Sequence, residues 1–513
     1  KGEVEALTIC FINAYVNGEH EKQAKAVAAE IFTDIPISIS SDIVPEMQEY
    51  ERTETTVVNS YVRPQVARYI DNLQASLHKT MGQDLHLSIL RSDGGLASAN
   101  AAADNPVNLL MSGPAGGVSG AIHFASAAGY DNVLTFDMGG TSTDVALIQN
   151  AKARIRRETR VGDVTVRAPS VDVRTVGAGG GSLAFVPELT KALRVGPESA
   201  GAQPGPAAYM KGGVEPTVCD ANVVLGYLPS DVQLGGKMAI DKTAAVTAVK
   251  KVADAMGLSV EEAAEGIVRI ANEAMFGALR LVSVEQGFDP RDFALVGFGG
   301  AGPLHANALG ILTGSWPTII PPGPGVLCAY GDATTVVKDE ASKTYVTLIK
   351  NTDQASLAKL FHELTEKASS TLISDGISKD KLEVTLQADV RYTGQAFQLS
   401  IEISQADFEA QGLELLISRF DEQHTQLFTF ALDEGHEIVM VRAIVSAAAT
   451  ALPASKQITG NTTLLECKIA DTKIYHEGQY HQAAIYERAK MVVGLVVPGP
   501  CIVGEMDSTT VIL

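Results

Sequence analysis

Phe136-Asp137-Met138-Gly139-Gly140-Thr141-Ser142-Thr143-Asp144-Val145-Ala146 is the stretch on which the reading of this chain turns. The residues leading into it, Asn132-Val133-Leu134-Thr135-Phe136, are apolar and β-prone, which predicts a strand entering a tight turn. Gly139 and Gly140 let the backbone come close to a ligand. The hydroxyls of Thr141, Ser142 and Thr143 follow, and backbone N–H groups in such a turn act as anion-binding donors. Asp137 and Asp144 repel phosphate directly, but they can hold a metal ion, or its waters, that bridges to it. The pattern reads as a grip for a nucleotide triphosphate. It also reads as a glycine-rich hairpin, because Asp144-Val145-Ala146-Leu147-Ile148 is itself strand-like.

Two further glycine runs bear on the choice. Phe293 to Phe298 predicts a strand, followed by a turn at Gly299-Gly300-Ala301-Gly302 and a helix with Pro303 near its first position. Gly297 to Gly302 matches the dinucleotide pattern GxGxxG, but the acid expected about twenty residues later is missing from Ile319-Ile320-Pro321-Pro322-Gly323. A nicotinamide or flavin site is therefore rejected, and a turn lying against an adenosine moiety fits better than tight helix–strand packing. Val176-Gly177-Ala178-Gly179-Gly180-Gly181-Ser182 is either a flexible connection or a second wall of a phosphate pocket, with Ser182 as a donor. His123, His305 and Glu273 invite a metal reading, but a lone histidine on a helix is better read as structural, and Asp137 is the better ligand.

The surrounding pattern alternates strands and helices, which predicts an α/β architecture. Residues 1–40 read as strand, helix, strand, with a buried strand at Val4–Phe11 and an apolar stripe at Ala24, Val27, Ala28 and Ile31 on the Glu19–Phe32 helix. Glu51 to Leu77 predicts helix interrupted near Arg63-Pro64, and Leu85 to Leu90 a strand ending in the polar turn Arg91-Ser92-Asp93-Gly94-Gly95. A small-residue helix runs from Ser112 to Ala128. Residues 151–235 have few helical signals. Helices follow at Asp241–Met256, capped by Asp241, and at Val260–Val284. After the rigid loop Pro321-Pro322-Gly323-Pro324-Gly325, a strand-rich region with one long helix at Gln354–Ser374 predicts a C-terminal domain of mixed α/β type.

The bulk numbers narrow the function. The chain has 513 residues, 40 basic and 60 acidic, for a net charge of −20. That argues against nucleic-acid or anionic-membrane partners, and no apolar run is long enough to span a bilayer. Cys10, Cys219, Cys328, Cys467 and Cys501 are scattered, so a structural zinc is not expected and a cytoplasmic, reducing setting is. Lys1 to Glu5 does not resemble a signal peptide. Both ends fall inside strand-like runs, which predicts part of a longer product or a pairing with a missing segment.

The two glycine turns resemble the second phosphate motif and the adenosine motif of the actin, Hsp70 and sugar-kinase ATPase superfamily. More specifically, the chain resembles the A subunit of the hydantoinase/oxoprolinase family. The likeness runs through Glu49-Tyr50-Glu51-Arg52-Thr53-Glu54-Thr55-Thr56-Val57-Val58-Asn59-Ser60-Tyr61, Ser92-Asp93-Gly94-Gly95, Ser112-Gly113-Pro114-Ala115-Gly116-Gly117 and the Asp137 turn. It continues through the Gly177 loop, the Gly297 turn, Arg391-Tyr392-Thr393-Gly394-Gln395 and Gly499-Pro500. Each motif is weak alone; their joint order is specific. The family carries an earlier phosphate motif that this chain lacks, residues 1–40 matching the region after it.

The resemblance implies an actin/Hsp70/sugar-kinase-like (ribonuclease H-like) core. Residues 1–40 would be a remnant of its N-terminal half, 41–340 the ATPase domain and 341–513 a C-terminal mixed α/β domain. It implies ATP and Mg²⁺, with Asp137 in the metal shell and Asp144 aligning a water or bracing the turn. Gly139, Gly140, Thr141, Ser142 and Thr143, together with Gly179, Gly180 and Gly181, would contact phosphates, and Gly299, Gly300 and Gly302 adenosine. The implied activity is that of a subunit of an ATP-dependent amidohydrolase which phosphorylates the carbonyl oxygen of a cyclic imide or lactam before ring opening. A ketone carboxylase subunit and a non-catalytic ATP-binding module are the alternatives. The implied partners are a hydantoinase B-type subunit, a separate chain carrying the missing phosphate motif, and a small cyclic amide.

Overall fold

The computed structural model of the chain describes residues 4–82, 87–230, 235, 238–374, 376–447 and 459–513. Two compact units divide it. One comprises Lys1–Ala115, Ile155–Val171 and Thr335–Ala451; the other comprises Gly116–Arg154, Asp172–Thr334 and Leu452–Leu513. No helix among the described residues is long and apolar enough to cross a membrane.

The second unit is built on a six-stranded sheet. Strands β1 (Val133–Met138), β2 (Thr143–Gln149) and β3 (Val173–Val176) form an antiparallel meander. Helices α1 (Val218–Val224), α2 (Lys242–Met256) and α3 (Val260–Val282) follow in the chain. Strand β4 (Ala294–Phe298) then pairs parallel with β1, with Phe298 opposite Asp137. After it come α4 (Gly302–Thr313) and β5 (Thr318–Ile319), which pairs parallel with β4. The spatial order is β3-β2-β1-β4-β5, and Lys152–Ala153 extends it beside β2. β1 and β4 lie in the interior of this sheet, which is why both read as almost unbroken apolar runs.

The helix ends follow local chemistry. The Asp241 carboxylate caps α2 by accepting from the backbone N–H of Thr243 and Ala244, as its position predicts. Ser259 and Glu262 form a reciprocal capping box that starts α3. A second sheet in this unit joins Lys468–His476, Gln479–Glu487, β6 (Cys501–Gly504) and β7 (Thr509–Ile512). Its Ile474, Ile485, Ile502 and Val511 share one hydrophobic core with Leu134, Phe136, Leu295 and Ile267. The small-residue helix runs over Ser112–Ala127. A side chain at Gly120 would meet the Leu327 carbonyl at 2.7 Å and one at Gly116 the Cys328 carbonyl at 2.9 Å, so these two glycines serve close packing against the helix Leu327–Thr334.

The first unit carries a four-stranded antiparallel sheet in the order Lys338–Leu348, His436–Ala447, Leu382–Tyr392, Leu399–Ser404. The expected helix Gln354–Ser374 packs on it, together with Leu413–Phe428, which the sequence reading did not single out. Side-chain alternation sends Leu386, Ala388, Val390, Val441 and Ala443 into the apolar core. The opposite face holds charge. Arg442 donates from Nη1 to Asp389 Oδ1 at 2.7 Å, and its Nη2 lies 2.7 Å from Oδ2. Arg157 makes two bonds to Glu340, at 2.7 and 2.8 Å. Burial opposes ionisation of both partners in the first pair, but mutual attraction outweighs it, leaving Asp389 below the usual carboxylate range and Arg442 above its own.

Several expectations are corrected. The helix at Glu51–Leu77 is continuous over Glu49–Met81, with Pro64 inside it. Proline removes its own N–H and crowds the carbonyl of Ser60, and tertiary anchors hold the helix against that cost. Arg52 donates to the Phe11 and Glu46 carbonyls, Arg63 to Ile37 O, and Asn59 accepts from Val107 N. The first strand spans Leu7–Ile9 and is only half-buried, pairing parallel with Ile37–Ile39. On Glu19–Ile31 the apolar stripe is not buried: Val27 and Ile31 are 59% and 63% exposed, and Glu21 is the buried residue. The Glu21 carboxylate accepts from Phe11 N, Ser40 Oγ and Ser41 N, so a polar anchor seats this helix. Ser88–Leu90 forms the expected strand, whereas Leu85 and His86 lie outside the described residues.

Removing Arg442 leaves Asp389 buried without its counter-charge. Arg442→Ala is expected to lower stability by about 3–5 kcal/mol, read as a large fall in melting temperature of the full chain. Exposed Lys250→Ala, whose partner Asp254 sits on the surface, is the control and is expected to change little.

Candidate functional site

Parallel pairing of β1 with β4 brings their carboxyl ends side by side, so both glycine turns leave the same edge of the sheet. In the first turn Gly139 N donates to Ser142 O at 3.0 Å, closing the link between β1 and β2. The hairpin reading thus holds. In the second turn Ala301 N donates to Met138 O at 3.0 Å, tying the two turns together. The Gly177 loop completes the group: Gly180 N donates to Gly139 O at 3.0 Å and Gly181 N to Gly140 O at 2.6 Å. That loop is a wall, and its Ser182 hydroxyl is buried within it, accepting from Gly179 N at 2.8 Å.

A cavity of about 430 Å³ opens beside these turns. Gly139, Gly140, Gly180, Gly181 and Gly300 line it, with Ala301 and Leu304 from the start of α4. Tyr209, Cys219, Asn222 and Leu228 form another wall, and Met506, Asp507 and Thr509 reach it from the β6–β7 turn. Asp137, Thr141, Ser142, Thr143, Asp144, Gly179, Gly299 and Gly302 sit behind or beside this lining rather than in it. The Thr143 hydroxyl is buried and donates to Ala178 O at 2.5 Å, bracing the Gly177 loop. Gly302 begins α4 and is buried.

The glycines fall into two groups. A side chain at Gly179 would strike the Gly140–Thr141 backbone at 2.6–2.7 Å, and one at Gly297 the Phe136 ring at 2.7 Å. Gly299 has φ +82° and a side chain there would lie 2.3 Å from Asp137 Oδ1. Those positions are glycine because the protein itself leaves no room. Gly140 and Gly300 are different: an added Cβ meets nothing within 4 Å, and neither has a left-handed φ. Neither backbone strain nor packing asks for glycine there, yet both face the cavity.

The electrostatics are equally asymmetric. Asp137 and Asp144 are directly opposite in the β1–β2 register. Burial, with Asp144 adding like charge, pushes the Asp137 carboxyl up to about 6. Its hydrogen-bond partner is the Cys328 thiol at 3.4 Å, itself pushed up to about 12 by burial and by Asp137. Burial also raises Asp144, whose Oδ1 accepts from the Thr175 hydroxyl at 2.5 Å. Among the described residues no Lys or Arg forms an ion pair with either carboxylate, and no cluster of three or more His, Cys, Asp or Glu is arranged to hold a metal. Two paired carboxylates lacking a cation suit a divalent ion whose remaining ligands are waters and phosphate oxygens. His305 is structural. Its Nδ1 lies 2.7 Å from Asn272 Oδ1 and its Nε2 3.4 Å from Asn222, and burial lowers its pKa to about 4. The His123 ring packs against Phe124 and Tyr330.

Sequence reasoning missed the wall of Tyr209, Cys219, Asn222 and Leu228 and the contribution of Met506 to Thr509. The capping box of Thr217 and Asp220 signals where α1 begins, but nothing local marks the side it presents to the cavity.

Residues 52–341 match the hydantoinase/oxoprolinase family, and residues 347–513 match the family's C-terminal domain. The chain belongs to the hydantoinase/oxoprolinase family. It is 34% identical over 518 residues to the caprolactamase alpha subunit of Pseudomonas jessenii, spanning 100% of this chain and 74% of the relative. The crystal structure of the ATP-dependent caprolactamase from that organism superposes with a TM-score of 0.89 at 33% identity, covering 99% of this chain and 74% of that one. A nucleotide-free acetone carboxylase structure gives a TM-score of 0.77 at 26% identity, with coverage of 99% and 74%. The 5-oxoprolinase of Saccharomyces cerevisiae is 28% identical over 542 residues, spanning 99% of this chain and 40% of the relative. The fold is thus the α/β, actin- and Hsp70-like ATPase fold of this hydantoinase/oxoprolinase family, as its sequence motifs imply.

Two outcomes follow from the glycine groups and the carboxylates. Gly299→Ala is expected to destabilise this family member by about 2 kcal/mol or more, whereas Gly140→Ala and Gly300→Ala stay within about 0.5 kcal/mol of the parent; thermal melts of the three variants distinguish them. Asp137 holds its proton more tightly folded (about 6) than unfolded (3.8), so ionising it costs stability as pH rises between those values. Asp137→Asn is expected to gain stability relative to the parent from pH 4 to pH 7, measured in the absence of divalent ions.

Proposed function

We propose that the chain is a subunit of an ATP-dependent amidohydrolase that phosphorylates the carbonyl oxygen of a cyclic imide or lactam, of hydantoin or 5-oxoproline type, before ring opening. The observation that carries this reading is the pair of glycines, Gly140 and Gly300, that face one cavity with no structural demand for glycine. Caprolactamase and 5-oxoprolinase among the relatives support the amide class.

Amide carbonyls are poor electrophiles, and the C–N bond is resonance-stabilised. Bound ATP supplies a phosphoryl group that turns the carbonyl oxygen into part of a leaving group, and Mg²⁺ supplies charge neutralisation at the phosphates. The protein's share of such a transfer is positioning and electrostatics. Gly139 and Gly140, with Thr141 and Ser142 beside them, form the turn that receives phosphates; Gly180 and Gly181 wall it. Thr143 and Gly179 hold that wall in place. Gly300, with Gly299 and Gly302 shaping its turn, lies along the adenosine. Asp137 takes the metal shell, and Asp144, fixed by Thr175, orients water or braces the hairpin. Leu228 and Leu304 give the same space an apolar side.

The relatives named as subunits support assembly with partner chains, for which a hydantoinase B-type subunit is the candidate, and a cytoplasmic setting is part of the same proposal. The division into residues 1–40, 41–340 and 341–513 is likewise a proposal about sequence modules, supported near its second boundary by the family matches. A ketone carboxylase subunit is the second reading, favoured by the likeness to acetone carboxylase.

The native assembly, with every chain identified, separates these readings. Phosphate release stimulated by hydantoin, caprolactam or 5-oxoproline is the expected result. Stimulation by a simple ketone with bicarbonate, and a new carboxylate in the product, establishes the carboxylase instead. Absence of stimulated release with every substrate leaves a non-catalytic ATP-binding module. Asp137→Ala in the active assembly is expected to cut turnover about 10²-fold; turnover within a factor of two of the parent removes Asp137 from the metal shell.

A further inference from the structure

The Arg91-Ser92-Asp93-Gly94-Gly95 turn takes no part in the site above, and a second cavity adjoins it inside the first compact unit. The turn is clasped by the segment that enters the Lys338 strand. Thr335 Oγ1 donates to Gly94 O at 2.6 Å, and Leu96 N donates to Val336 O at 3.0 Å. Four charges meet there. Asp93 pairs with Arg91 and with Lys338, each at 3.1 Å, and Arg91 lies 3.7 Å from Asp339. Two cations face two carboxylates, so the charge cluster beside the cavity carries no net charge.

The cavity measures about 70 Å³ and is lined on one side by Leu96, Ala101 and Leu372. On the polar side stand Arg91, Asp339 and the carboxamides of Asn105 and Asn108. Among the described residues neither carboxamide has a hydrogen-bond partner, although the main chains of both are engaged: Asn105 N donates to Ala101 O, and Asn108 O accepts from Ser92 N. The backbone therefore fixes where these two side chains start, while their polar ends stay free. Each offers one carbonyl acceptor and two N–H donors on adjoining atoms.

We propose that this cavity is a binding site for a small neutral carboxamide or urea of about four to six heavy atoms, a size set by room for several water molecules. An amide presents the reciprocal pair, C=O beside N–H, and so can satisfy an asparagine edge with two bonds. An anion finds Arg91 and Lys338 already neutralised by Asp93 and Asp339, and an apolar guest leaves both carboxamides unpaired. The proposal is independent of the nucleotide reading, because its site lies in the other compact unit and its test needs no turnover.

Ligand-observed NMR on the full chain, titrating acetamide, urea, 2-pyrrolidinone, acetate and bicarbonate in separate samples, tests it. Saturable binding of acetamide or urea in the millimolar range is expected, with acetate and bicarbonate at least tenfold weaker. The double variant Asn105→Ala/Asn108→Ala, which breaks no hydrogen bond of the fold, is expected to weaken the amides about tenfold or more. Ala101→Leu, which fills the space, is expected to abolish binding. Failure of every amide to saturate by 100 mM (about twenty times the expected range), or acetate binding as tightly as acetamide, overturns the proposal. So does unchanged amide binding in the double variant with its fold confirmed by melting.

Discussion

Five residue pairs between two parallel strands decide what this molecule can hold. The register that sets Phe298 against Asp137 puts the end of β4 beside the end of β1, although 160 residues of chain separate them, from 137 to 298. Ligands of open parallel sheets gather outside the carboxyl ends of strands, where the loops diverge. Here three loops meet at that edge, and each is bonded to the first: the Gly177 loop through Gly139 O and Gly140 O, the Gly299 turn through Met138 O. A slip of one residue in that pairing would invert every side chain of β4 and tear the Ala301 bond from Met138.

Charge is managed in opposite ways in the two units. The first buries Arg442 with Asp389 and half-buries Arg157 with Glu340, a costly arrangement offset because each charge has an opposite charge within hydrogen-bond distance. The second leaves Asp137 and Asp144 opposite one another, their side-chain partners among the described residues being a thiol and a hydroxyl. With the whole chain at −20, such a pair is not a stabilising device. Its cost is borne locally, beside the cavity lining.

The sequence discloses the parts of this fold that are written in short-range code. The strand before Asp137 and the strand before Gly299 show as apolar runs. The cap at Asp241 and the Gln354–Ser374 helix are local signals too, and each appears as read. Long-range partners are not so written. Pro64 looks like a helix end until Arg52, Asn59 and Arg63 are seen fastening the helix ahead of it, with Ile70 buried beyond it. The stripe on Glu19–Ile31 looks like a core face, while the anchor is Glu21, a residue that hydrophobic periodicity discounts. At the site, glycine spacing located the turns but could not tell Gly179, which is pressed by backbone, from Gly140, which is not. That difference exists only in three dimensions. The second wall, from Tyr209 to Leu228, and the Met506–Thr509 turn carry no motif because their role is set by which side of a helix or hairpin happens to face inward.

The β6–β7 turn has a temporal corollary. Met506, Asp507 and Thr509 border the same hollow as Gly139 and Gly140, some 370 positions upstream, from 139 to 509. On the ribosome, the upstream glycine loops emerge long before that border exists. Synthesis of Met506 to Thr509 therefore completes the border of the hollow last.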